Sequence, residues 1–167
     1  MVAATLSLVG LLVALYLWLW KLGLMGEIAC GTGGCETVQL SQHAVLLGVP
    51  VALYGVVGYA VLLGVSLLGL QPRWQERRAP TVWLAALSGL GVAFTIYLTY
   101  LEAFVIGAWC RWCLVSAGII GLIFVTAIHG LRRNAEEAGG AEEAGGAEEA
   151  EEAEEAEEAE EAGGKGT

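Results

Sequence analysis

The sequence predicts an all-α integral membrane protein, a four-helix bundle with a cysteine-bearing extracytoplasmic loop. The 167-residue chain is 56% hydrophobic with a mean hydropathy of +0.64, and residues 1–133 contain four long stretches without a charged residue. The few polar residues of this region cannot cover four such apolar stretches in a soluble domain. The composition therefore excludes an ordinary soluble enzyme. A nucleic-acid-binding protein is excluded as well, because the sequence has no basic patch.

The charge distribution divides the chain into two predicted domains. Residues 1–133 carry seven basic and four acidic residues, whereas residues 134–167 carry 14 glutamates and one lysine. The formal net charge of −10 therefore arises from the tail. The tail repeats Glu-Glu-Ala with Gly-Gly interruptions and cannot build a core, so we expect a disordered, passive, cytoplasmic tail after a four-span membrane domain.

Each uncharged stretch is close to the roughly 20 apolar residues that a membrane helix needs. The four stretches are Val2–Trp20, Ala44–Leu70, Ala79–Leu101 and Trp112–Leu131. The first is expected to be retained, because its start lacks Lys and Arg and its apolar run is long for a signal peptide. Proline is tolerated in the first helical turn and disruptive inside a helix, so the second span is expected to start near Pro50 and cover Val49–Leu70. Residues Ser41–Gly48 then form a short helix or turn near the membrane surface; a proline kink in one longer helix is the alternative.

Loop charges predict the orientation in the membrane. Arginines cluster in the 71–79 loop and directly after the fourth span, whereas the segment after the first span has one lysine and two glutamates. By the positive-inside rule, both termini and the 71–79 loop are cytoplasmic, and residues 21–43 and 102–111 face the opposite side. In a bacterium this membrane would be the cytoplasmic (inner) membrane. His43 is interpreted as a surface residue of the membrane interface, with a role as a proton donor as the alternative, and Glu102 is likewise interpreted as an interface residue.

All four cysteines, Cys30, Cys35, Cys110 and Cys113, fall on the extracytoplasmic side, where disulfides persist. Cys110-Arg111-Trp112-Cys113 is a C-x-x-C motif that opens the fourth helix, so its two thiols share a face and a disulfide between them is accessible. Cys113 lies about 4.5 Å deeper along the helix axis than Cys110. The helix N-terminus and Arg111 both favour a thiolate, whereas burial of Cys113 opposes it.

The other pair, Cys30 and Cys35, encloses the sequence Gly-Thr-Gly-Gly, which predicts a loop rather than a helix. A cysteine pair that meets two partners in turn needs such backbone freedom, but a simple disulfide staple fits as well. Three interpretations of the four cysteines remain open at this point: two structural disulfides, a zinc site with four cysteine ligands, or a redox relay that ends at a membrane-soluble electron acceptor near Cys113. The position of a reactive pair at the top of an apolar bundle favours the relay.

Five features occur together in residues 1–133: the pair Cys30 and Cys35, Ser41, Gly48-Val49-Pro50, four spans, and Cys110-Arg111-Trp112-Cys113 at the head of the fourth span. In this order they resemble the vitamin K epoxide reductase family in its bacterial form. The C-x-x-C motif alone is weakly specific. Its combination with a serine six residues after the second loop cysteine is strongly specific. The resemblance implies a four-helix bundle around a quinone.

The resemblance also implies a role for each candidate residue. Cys110 and Cys113 would form the active-site disulfide, and Cys113 would react with the quinone. Cys30 would accept electrons from a thioredoxin-like protein, and Cys35 would pass them to Cys110. Ser41 matches a position near the quinone pocket, or caps the helix that follows it. Many bacterial members carry a fused thioredoxin-like domain and this sequence has none, so we expect a separate thioredoxin-like thiol protein as the partner.

The predicted function is that of a membrane thiol:quinone oxidoreductase. The protein would oxidise its partner through the Cys30/Cys35 and Cys110/Cys113 pairs, reduce ubiquinone, menaquinone or a related quinone, and so support disulfide bond formation. Lipid surrounds it, and neither a metal nor a nucleic acid is expected to bind. Two alternatives remain: reduction of vitamin K epoxide itself, and a non-catalytic four-span protein with two structural disulfides.

Overall fold

The computed structural model of the protein describes residues 1–31, 34–75 and 78–136. Residues Met1–Leu131 form one compact unit. The helices are α1 (Val2–Lys21), α2 (Cys35–Leu40), α3 (Val51–Gly69), α4 (Pro72–Gln75), α5 (Ala79–Tyr100) and α6 (Arg111–Glu136). Four segments are long and apolar enough to cross a membrane, namely α1, α3, α6 and the segment Ala79–Ile106 that contains α5. The predicted four-span, all-α membrane fold is thereby confirmed.

The four spanning helices share one apolar core. Ala14 of α1, Tyr59 and Leu62 of α3, and Ile119, Ile120 and Ile123 of α6 are buried together, and Leu84, Leu87 and Val92 of α5 pack against them. Small residues allow this close packing, as is usual between membrane helices. A Cβ on Gly10 would overlap the Tyr59 ring, and a Cβ on Gly91 would lie 2.9 Å from the Ile120 side chain.

The outward faces of the spanning helices are apolar as well. Large hydrophobic side chains are exposed along them, including Leu8, Leu12, Val57, Val61, Leu90, Ile96, Leu122 and Val125. A soluble bundle would carry polar residues at such positions. These faces are suited to lipid, and the protein is a multi-pass membrane protein.

The second span begins where Pro50 predicts. Helix α3 starts at Val51, and Pro50 occupies the position just before the helix, where its missing N–H costs no hydrogen bond. The preceding segment is more structured than the sequence suggests: a 3-10 turn (Gln42–Ala44) leads into a short antiparallel hairpin of β1 (Val45–Leu46) and β2 (Val49–Pro50). Leu47 and Gly48 form its turn, both with positive φ, which is typical of a tight hairpin.

The third span is longer than predicted. Helix α5 continues as a π-helical segment, Leu101–Ile106, which ends at Gly107 in the left-handed conformation. Glu102 therefore lies in the helical span and is only 3% exposed. Its interpretation as an interface residue is wrong. A glutamate at the end of an apolar stretch marks the predicted end of a span in the sequence. The sequence does not show whether its side chain is solvated or buried against the protein.

The sequence predicts an acidic tail over residues 134–167. Helix α6 runs to Glu136, three residues into that range. The prediction of disorder for the rest of the tail lies outside the described residues.

Candidate functional site

A cap segment, defined here as residues 22–31 and 34–50, is attached to the ends of two spanning helices. The Ala29 N–H donates to Tyr16 Oη of α1 at 3.0 Å, and the Trp112 indole N–H of α6 donates to the Ala29 carbonyl at 3.1 Å. The rings of Tyr16 and Trp112 also contact each other, with centroids 5.2 Å apart. Lys21, the last residue of α1, donates to the backbone carbonyl of Gln39. These contacts hold the cap segment against the end of the bundle where the C-x-x-C motif lies.

The structure brings the four predicted site cysteines into one cluster. Cys30, Cys35 and Cys110 are buried together with Val38, and Cys113 packs against them half-buried. Cys30 and Cys35 form a disulfide with their Cα atoms 6.0 Å apart, whereas Cys110 and Cys113 are free thiols. One pair is thus oxidised and the other reduced, in direct packing contact.

The sequence predicts that both Cys30 and Cys35 lie in an irregular loop, and the structure differs from this prediction at Cys35. Cys35 is the first residue of helix α2 rather than part of an irregular loop. Gly34, just before it, makes a close approach: its N–H donates to the Trp109 carbonyl at 3.1 Å, and a Cβ on Gly34 would lie 2.8 Å from Ala108 Cβ. This glycine lets the cap backbone pack directly on the residues that precede the C-x-x-C motif.

Cys110 lies at the N-terminus of α6 and is fully buried. The pKa of its thiol is lowered from 9.0 to about 7, first by a hydrogen bond from the Cys113 thiol and then by the backbone N–H groups of Cys113 and Trp112. Burial and the negative charge of Glu102 oppose this shift of the Cys110 pKa. The N–H groups at the start of α6 therefore lower the pKa of Cys110, as predicted. Arg111, which was expected to contribute as well, is exposed and lies beside Gly31. A pKa lowered in this way favours the thiolate, the reactive form of the Cys110 side chain.

Two polar side chains that the sequence did not single out as functional flank Cys113. The Gln39 amide of α2 lies 3.9 Å from Cys113 Sγ. The Glu102 carboxylate accepts the Cys110 N–H at 3.0 Å through Oε2, and is also within hydrogen-bonding reach of the Cys113 thiol. A weak signal for Glu102 existed, since it is the only charged residue between Arg78 and Arg111. Nothing in the sequence distinguishes Gln39.

An apolar cavity opens between α5 and α6. Its volume is about 240 Å³, and its lining includes Thr95, Thr99, Ala117 and Ile120. Ala117 follows Cys113 by four residues, so it lies on the same helix face about 6 Å further into the bundle. An apolar wall with two hydroxyl groups suits a flat aromatic or quinoid ring.

Ser41 lies at the end of α2, where its hydroxyl donates to the Val38 carbonyl at 2.8 Å. It makes no side-chain cap to the 3-10 turn that follows, so the capping role is not realised. Its predicted position beside a quinone stays a prediction. His43 lines a smaller cavity of about 100 Å³ with Leu101.

The cluster does not have the form of a zinc site. Two of its four sulfurs are joined in the Cys30–Cys35 disulfide, whereas zinc requires thiolates. Across residues 1–31, 34–75 and 78–136, no group of three or more His, Cys, Asp or Glu side chains is placed to hold a metal ion.

Comparison with known families agrees with this arrangement of spans and cysteines. The sequence model of the vitamin K epoxide reductase family matches residues 1–128, a range that includes the cap segment, the cysteine cluster and most of each spanning helix. The members of this family are oxidoreductases. The chain, a multi-pass membrane protein with a disulfide packed against a dithiol, belongs to the vitamin K epoxide reductase family.

Proposed function

We propose that this protein is a membrane thiol:quinone oxidoreductase that oxidises a separate thioredoxin-like protein and thereby supports disulfide formation. The observation that carries the proposal is the contact between an oxidised and a reduced cysteine pair at one end of an apolar bundle. Disulfide exchange between the two pairs requires such a contact.

Electrons enter at the Cys30–Cys35 disulfide. A thiolate of the partner attacks Cys30 and forms a mixed disulfide, Cys35 leaves as a thiolate, and the second partner thiol releases the oxidised partner. Two electrons and two protons have then passed from the partner dithiol to Cys30 and Cys35.

Transfer between the pairs follows when Cys110 and Cys113 are oxidised. The Cys35 thiolate attacks Cys110 and expels Cys113, and Cys30 then attacks Cys35 and expels Cys110. The lowered pKa of Cys110, about 7, makes it a good leaving group in the second step. The products are the Cys30–Cys35 disulfide and the Cys110/Cys113 dithiol, the redox state of this structure.

Cys113 is the residue proposed to deliver the electrons to the quinone, because its helix face continues into the apolar cavity at Ala117. A quinone supplies an acceptor for two electrons and two protons. Thr95 and Thr99 line the cavity and are the residues that would offer hydroxyl groups to the ring oxygens of a bound quinone. Ser41 would approach it from the cap segment. Ubiquinone and menaquinone fit this chemistry equally well.

The proposal includes the orientation derived from the loop charges. The cysteine cluster faces the extracytoplasmic side and both termini face the cytoplasm, in the inner membrane if the source is bacterial. A thioredoxin-like partner would then meet the cap segment in an oxidising compartment.

Anaerobic single-turnover spectroscopy tests the function. The reduced protein is mixed with ubiquinone or menaquinone analogues, and in a parallel arm with vitamin K epoxide. We expect Cys113→Ala to stop quinone reduction while a thioredoxin-like protein is still trapped as a mixed disulfide at Cys30. Leu114→Ala, a change at an exposed neighbouring position, is the matched control and should retain turnover. Quinone reduction by Cys113→Ala at the rate of the unmodified protein would contradict the assignment.

Thiol titration separates the relay from a non-catalytic protein with two structural disulfides. A relay exchanges its cysteines between oxidised and reduced forms when dithiol or quinone is added. Structural bridges resist mild reductant.

A further inference from the structure

We propose that Glu102 is a catalytic residue that takes the proton of the Cys113 thiol and passes it to the reduced electron acceptor. The inference rests on the proposed thiol:quinone function and extends it to the path of the proton. The starting observation is that the buried Glu102 carboxylate contacts both residues of the C-x-x-C pair. A purely structural role for Glu102 would not require both contacts.

The placement of Glu102 depends on the π-helical segment Leu101–Ile106. Single π turns inside helices occur frequently at functional sites. This one sets the Glu102 carboxylate under the start of α6, where Oε2 accepts the Cys110 N–H at 3.0 Å. The Glu102 carbonyl accepts the Ala108 N–H at 3.2 Å, so both the backbone and the side chain of Glu102 hold the segment before Cys110.

A permanently charged buried carboxylate needs a cation beside it, and the residues that the structure describes place none next to Glu102. Glu102 is 3% exposed. The described part of the chain gives it no lysine or arginine partner; its hydrogen-bond donors are the Cys110 N–H and the Cys113 thiol. A carboxylate placed in this way is suited to alternate between a charged and a protonated form.

The Cys113 proton therefore has two acceptors within reach, the Cys110 sulfur and the Glu102 carboxylate. Cys110 must be a thiolate when its sulfur forms the bond to Cys113, so it cannot keep the Cys113 proton, and Glu102 is the remaining base. General bases act from such hydrogen-bonding positions.

The proton balance follows from the overall reaction. Oxidation of the Cys110/Cys113 dithiol forms one S–S bond and releases two electrons and two protons, and reduction of a quinone to a quinol consumes the same number. The Cys113 proton passes through Glu102 to one acceptor oxygen. The Cys110 proton passes to water when the thiolate forms, and water supplies one proton to the other oxygen.

Other titratable groups on the surrounding elements do not compete for this role. Among the described residues, the titratable groups that interact with Glu102 are the Cys113 and Cys110 thiols. Lys21 donates to the Gln39 carbonyl, and Glu36 and Arg111 are exposed. His43 and Tyr97 line the separate smaller cavity next to Leu101.

The test compares Glu102→Gln with Glu36→Gln, the same change at the exposed acidic residue of α2. The glutamine at position 102 still accepts the Cys110 N–H but cannot take a proton. We expect single-turnover quinone reduction to fall about 100-fold in Glu102→Gln and to rise again with pH, as hydroxide replaces the missing base. Glu102→Asp, which keeps the carboxylate, should restore part of the rate. Glu36→Gln should match the unmodified protein.

A second readout needs no quinone. Because the charge of Glu102 raises the pKa of Cys110, Glu102→Gln should move the thiolate absorbance titration of Cys110 to lower pH, whereas Glu36→Gln should not. Mixed-disulfide trapping at Cys30 checks that each variant is folded.

The possible results separate the two proposals. If the unmodified protein reduces no quinone, the proposed function fails, while the Cys110 titration still tests the placement of Glu102. If quinone is reduced and Glu102→Gln keeps the rate and pH profile of the unmodified protein, the role of Glu102 is overturned. If Glu102→Gln does not fold, Glu102→Asp decides: no change in its rate or pH profile overturns the role, and a slower rate with an altered pH profile supports it.

Discussion

The close approach of Gly34 to Ala108 predicts how strongly a substitution at Gly34 should destabilise the protein and slow exchange between the cysteine pairs. In Gly34→Ala, the new Cβ would lie 2.8 Å from Ala108 Cβ, whereas carbon atoms prefer a separation of about 3.5–4.0 Å. The cap segment must therefore move away from residues 107–110 by roughly 1 Å. Overpacking of this kind typically costs about 1–3 kcal/mol. The hydrogen bond from the Gly34 N–H to the Trp109 carbonyl, 3.1 Å long, would lengthen as well.

The displacement should affect exchange more than folding. A misplacement of about 1 Å between reacting groups can lower a rate by roughly 100-fold. The approach of the two residues is measured in a Cys30→Ala/Cys113→Ala background, where only Cys35 and Cys110 remain, with an added aromatic disulfide as the oxidant. The reagent forms a mixed disulfide with one thiol, and the other thiol displaces the aromatic thiolate to form the Cys35–Cys110 disulfide at a measurable rate. We expect Gly34→Ala to slow that step by about 10- to 100-fold, with a modest decrease in Tm.

A compensating substitution makes this test specific. Ala108→Gly removes the Cβ that the new methyl group would meet, so the Gly34→Ala/Ala108→Gly protein should recover most of the exchange rate. Gly58→Ala, on α3 with no atom within 4 Å of the new Cβ, controls for a general effect of replacing glycine. Unchanged exchange in Gly34→Ala, or no recovery in the double variant, would refute the explanation by close approach.

Three further predictions follow from the same geometry. The fold lowers the pKa of Cys110 from 9.0 to about 7. The free energy of unfolding of the reduced protein should therefore increase by about 2–3 kcal/mol as pH rises from 7 to 9, and this gain should be lost as pH falls through 7. Tm measured at pH 6 and 9, against Cys110→Ala, checks this. Gly10→Val should lower the free energy of unfolding by about 1–3 kcal/mol, because the side chain overlaps the Tyr59 ring; thermal unfolding in detergent measures the loss. Gln39→Leu should slow alkylation of Cys113 severalfold, because it removes the donor 3.9 Å from Cys113 Sγ that favours a thiolate; a faster reaction would contradict this role.

The membrane architecture could be predicted because it depends on long, one-dimensional features of the sequence. Four uncharged stretches of sufficient length specify four spans, and Pro50 marks the start of the second. The hairpin after Ala44 could not be predicted, because its turn places Leu47 at a positive φ of 52°, which the residue type does not suggest.

The candidate site was predictable in its residues and less so in its geometry. The spacing of the four cysteines left three pairings open, and the family resemblance implied the pairs Cys30/Cys35 and Cys110/Cys113. The structure joins Cys30 to Cys35 and leaves Cys110 and Cys113 as free thiols. Glu102 was missed because burial depends on how the π-helical segment turns against α6. Gly34 appeared as one of several loop glycines, and its contact with Ala108 exists only after the chain has folded.

The burial of the oxidised pair has a consequence for selectivity. Cys30 is 4% exposed and Cys35 is fully buried, and an incoming thiolate must approach a sulfur along the S–S axis. Ala29, the residue before Cys30, is fixed by its hydrogen bonds with Tyr16 and Trp112. Under the proposed function, we expect the hydrogen bonds at Ala29 to break when a thiol protein docks on the cap segment. Small thiols in solution should then reduce this disulfide more slowly than a docked protein does.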